Sequence, residues 1–172
     1  MAFALVWILP MKKLDSVLVP IIETLKKRQE TLATAESCTG GMIAEWITRI
    51  PGVSQVYRGG VIAYANSVKI HALQVPKSVL EKHGAVSEAV AFYMAKGAQK
   101  NFAATWSISI TGIAGPDGGS LNKPVGTFFL GIAGPAGIIT KEIHLNDLGR
   151  QKNREAAAMA ALLWLHKSLF GP

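Results

Sequence analysis

Ser37 stands where a short β-prone run, Thr31 to Ala35, meets the glycine-rich start of a helix, Glu36-Ser37-Cys38-Thr39-Gly40-Gly41. At such a junction backbone N–H groups point outward and the helix dipole favours negative charge. An alkoxide or a tetrahedral oxyanion is stabilised there by the N–H groups of Cys38 to Gly41. The same position also suits a plain N-cap, since serine and threonine are among the best caps. A base opposite the hydroxyl decides between the two. Cys38 is a rival nucleophile, because a thiolate at a helix N-terminus has a lowered pKa. It ranks second: neighbouring side chains of one turn cannot both face one pocket, and a lone cysteine is more often a small buried hydrophobe.

His71, His83, His144 and His166 lie in no Ser/His/Asp context and read as surface or cap residues. Lys69 is the better base. With Asn66 as N-cap, Lys69 falls at the third position of a helix running to Leu73, where the macrodipole repels a cation. Acting as a base near neutral pH requires a shift of roughly 3 units from ~10.4, equivalent to ~4 kcal/mol, so burial must add to the dipole. Tyr64, at the end of the preceding strand, is placed to relay or orient the proton. An exposed lysine and a core tyrosine are the alternative.

Two further segments offer ligand contacts. Thr111-Gly112-Ile113-Ala114-Gly115-Pro116-Asp117-Gly118-Gly119 follows a strand, and its four glycines allow close backbone approach to a ligand or make a flexible surface turn. It lacks the Gly-Lys-Ser/Thr ending of a nucleotide-triphosphate loop. Arg150 and Arg154 share one face at the start of the last helix, where two cations oppose the dipole unless an anion sits between them. A phosphate is the natural anion, and a solvated basic face the alternative. No His-x-x-x-His, carboxylate cluster or cysteine pair suggests a metal.

These residues must be positioned by a single domain. The chain has 172 residues, 49% hydrophobic and 17% charged, with 18 Lys+Arg against 11 Asp+Glu. That is too apolar for disorder, and the apolar runs Met1 to Met11 and Ala156 to Leu165 are shorter than the ~20 residues of a bilayer span. The net charge of +7 is dispersed, without the aromatic interleaving of a nucleic-acid binder, so anionic small molecules are the expected partners. A single cysteine, Cys38, excludes an internal disulfide and suits a reducing, cytoplasmic setting. Met1 to Pro10 lacks a basic leader and a small-residue cleavage site, so a signal peptide is not expected, and Met11 is an equally good start. Residues 1–13 read as an extension and 14–172 as the domain.

Helices are expected from about Ser16 to Glu30 with Pro20 near the first turn, from Met42 to Ile50, from Pro76 to His83, from Ser87 to Phe102 and from a start near Asp147 to Arg150 through to about Phe170. Strands are expected at Thr31 to Ala35, Arg58 to Ala65, Thr105 to Thr111, Val125 to Ala133 and Gly137 to Leu145, the last two as a hairpin through Gly134-Pro135-Ala136. The pattern predicts a single three-layer αβα domain with a mixed, mostly parallel sheet of about five strands. Ala156 to Leu165 is apolar around the whole helix, which implies either burial within the monomer or a homo-oligomer contact.

Together Ala35-Glu36-Ser37-Cys38-Thr39-Gly40-Gly41, Tyr64-Ala65-Asn66-Ser67-Val68-Lys69, His83-Gly84-Ala85-Val86-Ser87, Gly112 to Gly119 and Lys123-Pro124-Val125-Gly126-Thr127 resemble the CinA C-terminal domain family. Free-standing members of that family are nicotinamide-mononucleotide deamidases. The resemblance, which runs from about Leu14 to Leu169, implies amidohydrolysis of nicotinamide mononucleotide to nicotinic acid mononucleotide and ammonia, in pyridine-nucleotide recycling. It implies Ser37 and Lys69 as the catalytic pair, with Tyr64 and Thr111 at the site. Thr39, Gly40, Gly41, Gly112, Arg150 and Arg154 are then the expected substrate contacts, and no cofactor is implied. The family's closing Gly-Asp-Arg-x-x-x-Arg pattern appears as Leu148-Gly149-Arg150-Gln151-Lys152-Asn153-Arg154, with the Gly-Asp pair altered and the arginine spacing kept. Longer members carry a separate N-terminal domain linked to a metal-dependent pyrophosphatase, for which 172 residues leave no room. A non-catalytic nucleotide-binding or interaction module, linked to competence or DNA-damage responses, is the alternative function.

Overall fold

The computed structural model describes residues 5–171, with side chains from Lys13 onward. Met1 to Ala4 lie outside the described residues, as do the side chains of most of the expected extension. Five strands, β1 (Leu32–Glu36), β2 (Tyr57–Ile62), β3 (Trp106–Gly112), β4 (Thr127–Gly134) and β5 (Gly137–His144), form one sheet in the order β2-β1-β3-β4-β5. β1 is parallel to both β2 and β3, whereas β4 runs antiparallel to β3 and β5 antiparallel to β4. The mixed sheet expected from the sequence is therefore present, and the predicted hairpin closes with Gly134 opposite Gly137. β1 and β4 are buried along almost their whole length, while β5 alternates between exposed and half-buried residues, as an edge strand covered on one face does.

Helices cover both faces of the sheet. On one side α1 (Leu5–Arg28), α2 (Met42–Thr48) and α6 (Arg150–Phe170) bury Leu18, Ile21, Ile22, Leu25, Ile43, Ile47, Leu162 and Leu165 against Ile108, Ile110, Phe128 and Leu130 of the sheet. On the other, α3 (Asn66–Leu73), α4 (Lys77–His83) and α5 (Glu88–Asn101) bury Leu73, Leu80, Val90, Met94 and Ala98 against Ala33 and Ala35. Each of these side chains larger than alanine contributes roughly 1.5–3 kcal/mol by leaving water. No helix among the described residues is long and apolar enough to cross a membrane.

Three boundaries differ from those expected. α1 starts at Leu5 rather than near Ser16, so Pro20 sits inside the helix and not in its first turn. The apolar stripe Leu14, Leu18, Ile21, Ile22, Leu25 is buried in the shared core with α6, and that packing outweighs the hydrogen bond Pro20 cannot donate. β2 ends at Ile62, before Ala65. Ala65, extended at φ −79° and ψ 150°, is the N-cap of α3, so Asn66 is the first helical residue and Lys69 the fourth. In α6 the monomer itself covers much of the apolar segment: Ala157, Ala158, Ala161, Leu162 and Leu165 are buried, Met159 and Trp164 lean on the same core, and Leu163 is exposed.

The chain leaves β1 towards β2 on one side and returns past it to β3 on the other, so the connections diverge at the C-terminal end of β1. Open α/β sheets bind ligands in that crevice. Ser37 follows β1, Tyr64 follows β2, and Thr111 and Gly112 close β3, so the topology brings three separately identified segments to one edge.

Candidate active site

The backbone of Ser37 is fixed first. Ser37 N–H donates to the Ile110 carbonyl of β3 at 3.0 Å, which extends the sheet by one bond beyond β1. From the first turn of α3, Lys69 Nζ lies 3.0 Å from Ser37 Oγ, 2.7 Å from the Ala63 carbonyl and 3.1 Å from the Tyr64 carbonyl. The lysine is 1% exposed. Two of its three partners are carbonyls, which only accept, and the third is a hydroxyl, which can also donate. A neutral amine has two N–H bonds and one lone pair; with both N–H bonds on the carbonyls, the lone pair faces Ser37. Burial holds the Lys69 pKa below its ordinary value and so favours that neutral form. The geometry matches what a serine nucleophile with a lysine base requires.

Glu36 was not singled out in the sequence, yet it organises the turn that carries Ser37. It is the last residue of β1, 1% exposed, and its carboxylate accepts N–H bonds from Gly41 at 3.1 Å, Ile43 at 3.1 Å and Ala44 at 2.8 Å. Gly41, the N-cap of α2, has no side chain to cap with, and its φ of 95° together with a Cβ position 2.8 Å from Ile62 Cδ1 restricts it to glycine. Glu36 therefore supplies the cap from the strand, in bonds to a charged acceptor that contribute about 1.5–3 kcal/mol each. A carboxylate just ahead of a helix whose own N-cap is glycine was the available signal.

This capping corrects the expected oxyanion donors. Gly41 N–H is taken by Glu36 and Gly40 N–H by the Ser37 carbonyl at 3.0 Å, so neither is free. Cys38 and Thr39 N–H meet no backbone oxygen among the described residues. Cys38 itself is buried, and burial pushes its thiol up to about 12, the wrong direction for a nucleophile. Thr39, expected as a substrate contact, is fully buried and lines neither the cavity over Ser37 nor the neighbouring cleft, because its carbonyl is held by Arg154 and the turn packs it inward.

A cavity of about 310 Å³ opens over the Ser37–Lys69 contact, within the range of small-molecule sites. Ser37, Tyr64, Lys69, Thr111, Gly112 and Arg150 all line it, as do Asp117 and Asn66, neither of them among the expected site residues and the second expected only as an N-cap. Thr111 Oγ1 donates to the Ala85 carbonyl at 2.9 Å, which leaves its lone pairs to accept from a ligand. Tyr64 contributes in two places: its carbonyl holds Lys69, while its phenol, exposed at the mouth, accepts from Arg150 Nη2 at 2.9 Å rather than contacting the amine. Arg150 Nη1 donates to the Gly115 carbonyl at 2.6 Å, so the guanidinium bridges the rim.

Arg154 does not join it. Its Nε and Nη2 donate to the carbonyls of Cys38 and Thr39 at 3.1 and 2.7 Å, and its remaining contact is Gln151. With Gly40 and Gly41 it lines a separate, larger cleft of about 600 Å³ between α2 and α6, which neither Ser37 nor Lys69 reaches. The shared helical face had suggested an anion between the two arginines; instead the carbonyls of the Ser37 turn take up Arg154, and Arg150 alone faces the cavity.

Comparison with known proteins agrees with the fold. Residues 15–169 match the model of the CinA C-terminal domain. A CinA-like protein of Cyanothece sp. is 47% identical over 156 residues, covering 90% of this chain and 37% of its own length. A CinA-like protein of Thermosynechococcus vestitus is 46% identical over 157 residues, 90% of this chain and 38% of its own length. The chain thus spans little more than a third of these curated relatives. Among solved structures, the competence/damage inducible protein CihA of Agrobacterium tumefaciens superposes with a TM-score of 0.88 at 37% identity, covering 92% of this chain and 96% of that one. The chain belongs to the CinA family, as a CinA C-terminal domain related to competence- and damage-inducible proteins.

Proposed function

We propose that the chain hydrolyses the carboxamide of nicotinamide mononucleotide to nicotinic acid mononucleotide and ammonia through an acyl-enzyme on Ser37. The observation that carries this reading is the 3.0 Å contact between Ser37 Oγ and a buried Lys69 whose other partners are both carbonyls. The substrate follows from the motif resemblance, and a cavity of mononucleotide dimensions with one arginine at its rim supports it.

In the first half-reaction Lys69 Nζ takes the Ser37 hydroxyl proton as Oγ attacks the carboxamide carbon. The Cys38 N–H, at the cavity wall beside Ser37, holds the resulting oxyanion. The ammonium of Lys69 returns its proton to the leaving nitrogen, the C–N bond breaks and ammonia departs, leaving a nicotinoyl ester on Ser37. Water then attacks the ester carbon while Lys69 accepts its proton. The ester C–O bond breaks, Ser37 Oγ recovers the proton from Lys69, and the acid is released. Thr111 and the Gly112 backbone position the ring, and Arg150 takes the 5′-phosphate.

Equimolar ammonia and nicotinic acid mononucleotide should appear when the purified protein, with a metal chelator present, is given nicotinamide mononucleotide. Binding without ammonia release would replace this reading with a nucleotide-binding module.

A further inference from the structure

We propose that Asp147 and Asn153 form a clasp that holds Arg150 at the cavity rim and thereby sets the site's affinity for the phosphate of its ligand, an inference that rests on the mononucleotide reading above. Asn153 lies in the first turn of α6 and is fully buried. Its amide nitrogen donates to the Ala114 carbonyl at 3.1 Å and to the Asp147 carboxylate at 3.0 Å, and its amide oxygen accepts from Leu148 N–H at 3.0 Å. The same Asp147 oxygen accepts from Gly149 N–H at 2.9 Å. One side chain thus ties together the segment entering α6, the helix itself and the cavity wall.

Arg150 leaves the chain inside this knot. The wall is gripped at adjacent residues, Ala114 by Asn153 and Gly115 by Arg150. A guanidinium has five N–H donors; two are spent on Gly115 and Tyr64, and three are left for an anion. An arginine already fixed at both ends loses little further freedom on binding, and that preorganisation is what the clasp supplies. The helix needs it, because the N-cap of α6 is Gly149, with no side chain to close the turn. Where the related pattern has Gly-Asp ahead of the first arginine, this chain has Leu148-Gly149, and a carboxylate two residues further back, Asp147, does the holding. Asp147 and Asn153 are positioning residues, since neither lines the cavity.

The test compares dissociation constants for nicotinamide mononucleotide and its dephosphorylated nucleoside, by calorimetry, in a Ser37→Ala background that cannot turn over. The parent protein should bind the mononucleotide more tightly. Asp147→Ala, at an exposed position where folding is spared, and Asn153→Ala should each weaken the mononucleotide about tenfold and the nucleoside less than about twofold. Asp147→Asn keeps an accepting oxygen for Gly149 and Asn153 and should recover most of the loss. Equal weakening of both ligands, no weakening of either, or a parent that does not distinguish them overturns the clasp. Absence of ammonia from the wild-type protein refutes the deamidase reading instead, and the binding comparison still decides the clasp.

Discussion

Ser37→Ala is expected to lower ammonia release from nicotinamide mononucleotide by on the order of 10⁴-fold or more, because a serine nucleophile and its base act as one unit and removing either removes nearly all of the chemistry. The neighbouring Cys38→Ala should retain activity within a few fold. Cys38 is buried, its thiol is pushed up to about 12, and its backbone N–H survives the substitution. Steady-state assays on both variants at one substrate concentration series distinguish the two residues. The reverse pattern would assign the nucleophile to Cys38.

Lys69→Met should cost about 10³-fold or more in kcat/KM, within the range for removal of a positioned base plus the misplacement that follows. Lys69→Arg should be no better, because a guanidinium stays charged and has no lone pair to offer the hydroxyl. The proposed base is the neutral form of Lys69, so wild-type kcat/KM should rise with pH and level off above the lysine's pKa. Burial lowers that pKa, so the plateau should begin below the ~10.4 of an ordinary lysine. Lys69→Met should flatten this rise in whatever activity remains. A wild-type profile that falls through the same range, or a Lys69→Arg enzyme active near pH 7, would remove Lys69 as the base.

Much of the site was legible because its parts are local. A serine between a strand and a glycine-rich helix start, and a lysine in the first turn of a helix, are defined by a few consecutive residues. The topology then had only to bring the C-terminal ends of β1, β2 and β3 to one edge, which an α/β alternation implies. What the sequence did not show depends on partners distant in the chain. Arg150 and Arg154 are equivalent by spacing, and only the carbonyls of Cys38 and Thr39 separate them in space. Gly40 and Gly41 read as donors to a ligand because the carboxylate that competes for the turn, Glu36, comes from the preceding strand.

The limits of α1 and α3 were misplaced for a related reason. A proline at position 20 is a local stop signal, but burial of the stripe from Leu14 to Leu25 overrides it. Asn66 is the better N-cap by composition, but the extended backbone of Ala65 carries the chain from β2 into α3 and leaves Lys69 one position further along. Its Nζ still reaches Ser37 because the Ala63 and Tyr64 carbonyls hold it from the other side.

Acylation of Ser37 is tested most directly by running the deamidation with added hydroxylamine. A nicotinoyl ester on the enzyme partitions between water and hydroxylamine, so part of the product should become the mononucleotide hydroxamate, in a proportion that rises with hydroxylamine while one ammonia is released per turnover. Ammonia release accompanied by free acid alone at every hydroxylamine concentration would mean that water attacks the amide directly and that Ser37 carries no acyl group.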